Sequence, residues 1–161
     1  MTKVRATLLA GFVAITANTV VLKAAAPLGI IAESGGLLRL HLLYLTPMLR
    51  RSGVTGWWTS SGLPGPTSQP FSLAFHYATG FAMVFLYTVV LERHLPGPGV
   101  MKGSLFSLVP WLINGLIVSP MLGQGAFGSR TLPASGMWYF FLANWLFGAV
   151  LGAVYARCSD L

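Results

Sequence analysis

Charged side chains are scarce in this chain of 161 residues: Asp, Glu, Lys and Arg make up 8% of it, and only three are acidic. Soluble domains carry about 25% charged residues, so this composition, with 55% hydrophobic residues, excludes an ordinary soluble domain. Four stretches contain none of these residue types: 6–22, 71–91, 103–123 and 135–156. An apolar helix of about 20 residues matches the ~30 Å hydrocarbon thickness of a bilayer. The sequence therefore predicts a polytopic membrane protein.

Cysteines and acids are too few for most metal or hydrolytic sites. The single cysteine, Cys158, excludes an internal disulfide and any multi-cysteine metal or iron–sulfur centre. The acids Glu33, Glu92 and Asp160 are not placed to complete a Ser–His couple. We therefore expect no enzymatic activity, no catalytic residue and no metal site. The net charge of +7 lies at the ends of the apolar runs, which indicates contact with lipid headgroups rather than with nucleic acid.

The charge-free stretches predict an all-α fold, a bundle of four transmembrane helices that forms one membrane domain over residues 1–161. We place the helices at about 5–25, 70–92, 102–122 and 134–157. One long connection, 26–69, joins the first two helices. Its second half, 52–69, is rich in Ser, Thr, Gly and Pro and is typical of a polar loop.

The first half of that connection, 27–49, is apolar but contains Glu33, Arg39 and His41. As a fifth spanning helix it would place these side chains in or near hydrocarbon, which costs several kcal/mol unless they are paired. An interfacial or re-entrant helix avoids most of that cost, and we favour it. Four spans also place both termini on the same side of the membrane.

The distribution of basic residues gives the orientation. Of the ten Lys and Arg residues, five would lie on each side. The pair Lys3 and Arg5 counts for more in the positive-inside rule because it precedes the first helix, whereas the opposite set is concentrated in the long connection. We therefore expect cytoplasmic N- and C-termini.

His76 is the residue best suited to hold a ligand. It falls within an apolar stretch, where an ionisable side chain is rare and normally faces protein, a cavity or a ligand. Ser72 and Gly80 lie one turn away on the same face, which leaves room for a flat molecule. A neutral imidazole would coordinate a haem iron or the magnesium of a (bacterio)chlorophyll. The interpretation we favour is structural: a hydrogen bond from His76 to a backbone carbonyl or to an asparagine across the bundle.

Three asparagines, Asn18, Asn114 and Asn144, also fall in apolar stretches. An interhelical amide hydrogen bond contributes only about 0.6 to 2 kcal/mol, but an unpaired amide in lipid costs more. We interpret the three as polar contacts that join helices rather than as a transport path. Pro110 frees the carbonyl of Phe106, so we expect a kink in the third helix that gives a cavity or a neighbouring subunit a place to fit.

Small residues at every fourth position, Gly148, Gly152 and Ala156, predict a packing face on the last helix. In lipid the hydrophobic effect no longer drives helices together, so close backbone approach supplies the attraction. The face would serve packing within the bundle or a dimer. We favour the first, because a chain of four helices must bury its own faces first.

Glu33, Arg39 and His41 form the one cluster with both charge signs near the membrane. Such a cluster would bind a lipid headgroup, a quinone head or a proton. The interpretation we favour is an ion pair that allows a re-entrant segment to lie at the interface.

A set of short motifs runs through the last three helices: Phe75-His76-Tyr77 with Gly80 and Tyr87, Lys102-Gly103, the segment 119–128 (SPMLGQGAFG), and a helix ending over 148–155. This arrangement resembles a group of small, largely uncharacterised bacterial four-helix integral membrane proteins. The resemblance spans most of the chain and implies the same topology, but no known activity. We expect the chain to lie in a bacterial inner membrane. In that group the last helix often has a second histidine where this chain has Asn144, so a two-histidine role does not carry over.

Short extramembrane segments, few acids and small-residue helix faces favour a non-enzymatic accessory or scaffold subunit of a larger respiratory or photosynthetic membrane complex. Such a subunit would contact membrane lipids and integral membrane partners, and would hold lipid, quinone or a tetrapyrrole near His76. The alternative is a small oligomeric transporter or channel with a path lined by His76, Asn18, Asn114 and Asn144. The apolar stretches contain no carboxylate, the usual proton or cation coupler, which weakens that alternative.

Overall fold

The computed structural model describes residues 2–32 and 36–159, and its regular elements are all helical. In chain order they are α1 (Lys3–Ala24), α2 (residues 36–51), α3 (Val54–Ser60), α4 (Gln69–His94), α5 (Gly99–Met121) and α6 (Ala134–Ser159), with a short 3-10 turn at Ala126–Gly128 between the last two. α2 is built from Gly36–Leu40, a π-helical turn at His41–Leu45, and Thr46–Arg51.

Four of these helices, α1, α4, α5 and α6, are long and apolar enough to cross a membrane. The predicted all-α fold with four candidate spans is therefore confirmed. α2 is not among these candidate spans, and its interfacial or re-entrant position stays a prediction. Glu33 lies outside the residues that the structure describes.

Local chemistry sets where the helices begin. The side chain of Thr2 accepts a hydrogen bond from the backbone N–H of Arg5 at the start of α1. Ser68 accepts one from Phe71 at the start of α4, where Pro70 occupies the first turn. Both side chains satisfy backbone donors that a helix start leaves without an intrahelical partner.

Close packing of α5 on α6 depends on two pairs of glycines. A Cβ atom on Gly103 would overlap the carbonyl oxygen of Gly148, and one on Gly152 would overlap that of Gly99. We call these four residues the glycine seam. Their spacing of four residues in each helix places them on one face, so the two backbones touch directly.

The other helices are arranged around α6 and α1. Ala6, Ala10 and Ala14 form a fully buried stripe on α1, and α1 packs against α6 and α4. Thr16 and Tyr77 share a hydrogen bond of 2.8 Å between α1 and α4. α2 contacts both α4 and α5, and the hydroxyl of Tyr44 donates to the carbonyl of Met121.

The two ends of the bundle differ in packing. At the terminus end, where α1 begins and α6 ends, Val84, Tyr87, Phe106, Leu151 and Tyr155 form a dense core. The rings of Tyr87 and Phe106 lie 5.2 Å apart between their centroids. At the loop end, where α1 ends and α4 begins, the helices surround an open cavity instead.

Candidate functional site

The loop end of the bundle contains a cavity of about 630 Å³. Its walls come from α1, α4, α5 and α6, and the first turns of α2 contribute to the side between α4 and α5. Along α1 it extends from Lys23 to Ile15, which is ~12 Å at the helical rise. On the side of the cavity that faces the terminus end, the dense core fills the space between the helices.

Polar side chains from all four long helices meet in this cavity. Among them are Asn18 on α1, Ser72 and His76 on α4, Asn114 on α5 and Asn144 on α6. The structure thus brings together the predicted ligand candidate and the three predicted polar contacts. Apolar residues such as Ile15, Met83 and Phe147 line the deeper part. Pro110 also lines the cavity, next to Asn114 in the helix.

The three asparagines differ in what they bind. The side-chain amide of Asn18 donates to the carbonyl of Ala143 at 2.9 Å and joins α1 to α6. Asn114 and Asn144 instead donate to carbonyls of their own helices, at 2.8 Å each. An asparagine has two N–H donors and a carbonyl acceptor, so both retain hydrogen-bonding capacity toward the cavity. The expected interhelical contact is present for Asn18 and replaced by an intrahelical one for the other two.

His76 has a buried ring nitrogen without a partner. Its Nε2 makes no hydrogen bond within the described part of the chain, so neither the expected backbone carbonyl nor an asparagine is a partner of that nitrogen there. A buried polar atom left in this way costs about 1 to 3 kcal/mol. Protein atoms cover Nε2, so a bound molecule reaches it only when the imidazole or a neighbouring side chain turns. His76 is therefore a residue of the cavity wall whose Nε2 lacks a hydrogen-bond partner.

The space beside Gly80 is occupied by protein. A Cβ atom built on Gly80 would lie 2.8 Å from Cγ1 of Ile15. The glycine therefore allows α1 to approach α4, rather than leaving room for a flat molecule beside the imidazole as the sequence suggested.

The other histidines lie away from this cavity. His41 packs against the rings of Phe71 and Phe75, and His94 accepts a hydrogen bond from Arg93 at the terminus end. Within residues 2–32 and 36–159, no three His, Cys, Asp or Glu side chains group together as metal ligands.

Two cations lie at the rim of the cavity. Lys23 comes from the last turn of α1 and Arg39 from α2, and Gln69 at the start of α4 completes the polar rim. Among the described lining residues there is no carboxylate. Of the predicted charge cluster, Arg39 therefore lies at the rim. His41 lines a smaller apolar groove between α2 and α4.

The predicted packing residues of α6 lie on the glycine seam. Gly148 and Gly152 face Gly103 and Gly99, and the methyl group of Ala156 lies against Gly99. The face that would serve a dimer is thus covered by α5 of the same chain.

Sequence reasoning missed the rim residues Lys23 and Gln69. Both residues flank apolar runs, where polar residues are common simply because they mark the ends of membrane spans. Only the path of α2 in the structure shows that these two lie at a cavity. No protein-family model, curated protein or solved structure matches this chain. The resemblance to small bacterial four-helix membrane proteins accordingly stays a prediction.

Proposed function

We propose that this chain is a non-enzymatic membrane protein, an accessory subunit of a larger membrane complex, that holds a small amphiphilic molecule between its helices. The observation that supports this most is the cavity where His76, Asn18, Asn114 and Asn144 meet. Its volume of about 630 Å³ falls in the range of 300 to 1,000 Å³ that small-molecule pockets occupy. The spare amide groups of Asn114 and Asn144 give an incoming polar group hydrogen-bond partners, and Nε2 of His76 becomes a further partner when the imidazole turns toward the cavity.

Among the expected ligands, a lipid or a quinone fits this geometry better than a tetrapyrrole. A haem or chlorophyll needs a flat slot and an accessible imidazole nitrogen, whereas Ile15 fills the space at Gly80 and Nε2 of His76 is covered. A lipid or quinone head needs hydrogen-bond donors and acceptors with apolar walls around them, and this cavity offers both.

The proposed setting is the bacterial inner membrane, with cytoplasmic termini and the cavity opening toward the opposite side. α2 then lies at that interface, because its Arg50 and Arg51 are exposed and suited to headgroups. The exposed ring of Trp57 on α3 fits the same level.

The binding proposal predicts a molecule that stays with the purified protein. After extraction from native membranes without overexpression, into a mild uncharged detergent, mass spectrometry should find one amphiphile at about one copy per chain. Replacing His76 by alanine should reduce its retention about tenfold, the effect of one lost hydrogen bond at the upper end of its range. The matched control is His94→Ala at the terminus end, which should retain the molecule fully.

The proposal would be contradicted if the extract contains no small molecule at a fixed ratio to the chain. It would also be contradicted if His76→Ala and His94→Ala retain the molecule equally. An absorption spectrum of the same preparation tests for a bound tetrapyrrole. A visible absorption band that is lost in His76→Ala would favour a tetrapyrrole as the ligand. Co-purification with a large complex at fixed stoichiometry supports the accessory role, whereas a free homo-oligomer argues against it.

A second candidate, transport, is favoured by one specific observation: the four polar residues predicted to line a path do line one cavity. Against a path through the bundle, the dense core and the glycine seam close the terminus end. We expect liposomes with the purified protein to bind the extracted molecule without moving it into the lumen. Protein-dependent accumulation in the lumen, lost in His76→Ala, would favour transport instead.

A further inference from the structure

We infer that the bound amphiphile has a hydrocarbon tail that leaves the cavity sideways, between α4 and α5, and lies in the apolar groove beside α2. We call this groove the tail groove. Its volume is about 300 Å³, and its walls include Leu37, Leu40, Leu45, Phe75, Thr79 and Met121. The inference rests on the proposed binding function, to which it adds a second subsite, the direction of the bound molecule and a lipid-like chemical class.

Direct contacts join the helices on three sides of the cavity. Between α1 and α4, the side chain of Ile15 fills the space at Gly80. Between α1 and α6, the side-chain amide of Asn18 forms the interhelical hydrogen bond described above. Between α5 and α6, the ring centroids of Trp111 and Phe141 lie 5.0 Å apart. A tail therefore has no open way out on these three sides.

The fourth side, between α4 and α5, is built differently. These two helices meet near the terminus end, where the rings of Tyr87 and Phe106 are in contact. Toward the loop end, Gly36–Leu40 of α2 contacts α4 on one side and Asn114–Val118 of α5 on the other. A separate short helix thus fills the gap between the two long ones, and this is the side on which the tail groove lies.

The cavity and the tail groove have a common boundary. Leu37, Phe75 and Thr79 line both spaces. The hydroxyl of Thr79 donates to the carbonyls of Phe75 and His76 in its own helix, so its one O–H donor is already used. The boundary therefore presents mainly hydrocarbon, and a molecule that crosses it there needs an apolar segment at that point.

The tail groove suits hydrocarbon better than a polar head. Leu40 and Met121 contribute apolar walls. The hydroxyl of Tyr44 donates to the backbone carbonyl of Met121, and the ring of His41 packs against that of Phe75. A polar head placed here would exchange its hydrogen bonds with water for few others, which is costly. A hydrocarbon chain loses nothing of this kind.

The depth of the groove agrees with a tail that runs sideways. Phe75 and Thr79 lie ~9 and ~15 Å from Gln69 along the axis of α4, a depth that falls within a hydrocarbon layer of ~30 Å. His76 is at the same level, so a head held there has the groove beside it. The other two directions are less suitable, because the dense core fills the terminus end and Lys23 and Gln69 make the rim polar.

Photolabelling locates the tail. The probe is hexadecanol with a diazirine in the outer half of its chain, which has an uncharged head and reacts on illumination with side chains beside the tail. We would add it to the full-length protein in phosphatidylcholine nanodiscs and map the labelled residues by mass spectrometry. The wild type should be labelled at Met121, on the α5 wall of the groove. Trp138, exposed on the outer surface of α6, measures non-specific contact.

Two variants test the two subsites separately. Leu40→Trp fills the tail groove and should reduce labelling of Met121 about tenfold, as an overpacked site would. Its matched control is Leu43→Trp, because Leu43 is exposed on the same helix and lines neither space. Ser72→Trp fills the cavity and leaves the groove open. It should reduce labelling of Met121 as strongly, since lipid tails are as apolar as the groove and only a held head keeps this tail in place.

The outcomes separate this inference from the proposed function. Unchanged labelling of Met121 in Ser72→Trp would show that ordinary bilayer lipid occupies the groove and would overturn the inference. Labelling confined to Met83 or Phe147, deep in the cavity, would overturn it as well, because the tail would then point inward. In both cases, retention of a native amphiphile would leave the proposed function standing. Labelling no stronger than that of Trp138 at every site, together with an empty native extract, would overturn both.

Discussion

Replacing Gly103 by valine is expected to lower the melting temperature of the purified protein by about 6 to 12 °C. The new side chain would overlap the carbonyl oxygen of Gly148, a backbone atom that cannot turn away. Overpacking of this kind costs up to about 3 kcal/mol, and each kcal/mol corresponds to about 2 to 4 °C in a chain of this size. Helices α5 and α6 would separate along the glycine seam, so the core at the terminus end should loosen as well.

Thermal unfolding followed by circular dichroism and by size-exclusion chromatography in detergent measures this effect. Gly148→Val should behave in the same way, because the overlap is reciprocal. The control is Gly65→Val in the loop before α4, where nothing lies within 4 Å of the added Cβ atom. If Gly103→Val melts at the same temperature as the wild type but forms smaller oligomers, the glycines would serve contacts between chains. That result would contradict the packing of α5 on α6 described above.

Replacing Ser72 by tryptophan is expected to abolish retention of the native amphiphile, with at least a tenfold loss of bound molecule. Ser72 lines the cavity beside His76, and an indole there would occupy space that the molecule needs. The melting temperature should stay within a few degrees of the wild-type value, because the ring enters existing space rather than a packed core.

The matched control is Ala74→Trp, two residues further along α4. Ala74 is exposed on the outer surface of the bundle and does not line the cavity, so its indole would face lipid and leave retention unchanged. Equal loss of the molecule in both variants would indicate a general disturbance of α4. Full retention in Ser72→Trp would mean that the molecule binds elsewhere on the protein.

The helices were predictable from composition, but the roles of individual residues within them were less so. The four apolar runs follow directly from the absence of charge, since a bilayer requires spans of that length and polarity. His76 and the asparagines were also recognisable, because polar groups in such runs are unusual. Their partners were not: Asn114 and Asn144 donate to their own helices, which depends on side-chain rotation rather than on sequence position.

Gly80 illustrates the same limit. Its spacing from His76 is fixed by the helical period, which places both on one face. Whether that face meets open space or a neighbouring side chain depends on how α1 lies against α4, and Ile15 proves to be the neighbour.

By itself, the sequence determined the number of long helices, the faces that carry small residues, and the presence of His or Asn within each apolar run. Only the tertiary structure decided that these residues line one cavity and that α2 brings Arg39 to the same cavity as Lys23. The physical reason is that hydropathy and helical periodicity are local properties of one segment. The depth, rotation and neighbours of a helix in a bundle are set by close contacts between segments far apart in the chain, such as the glycine seam.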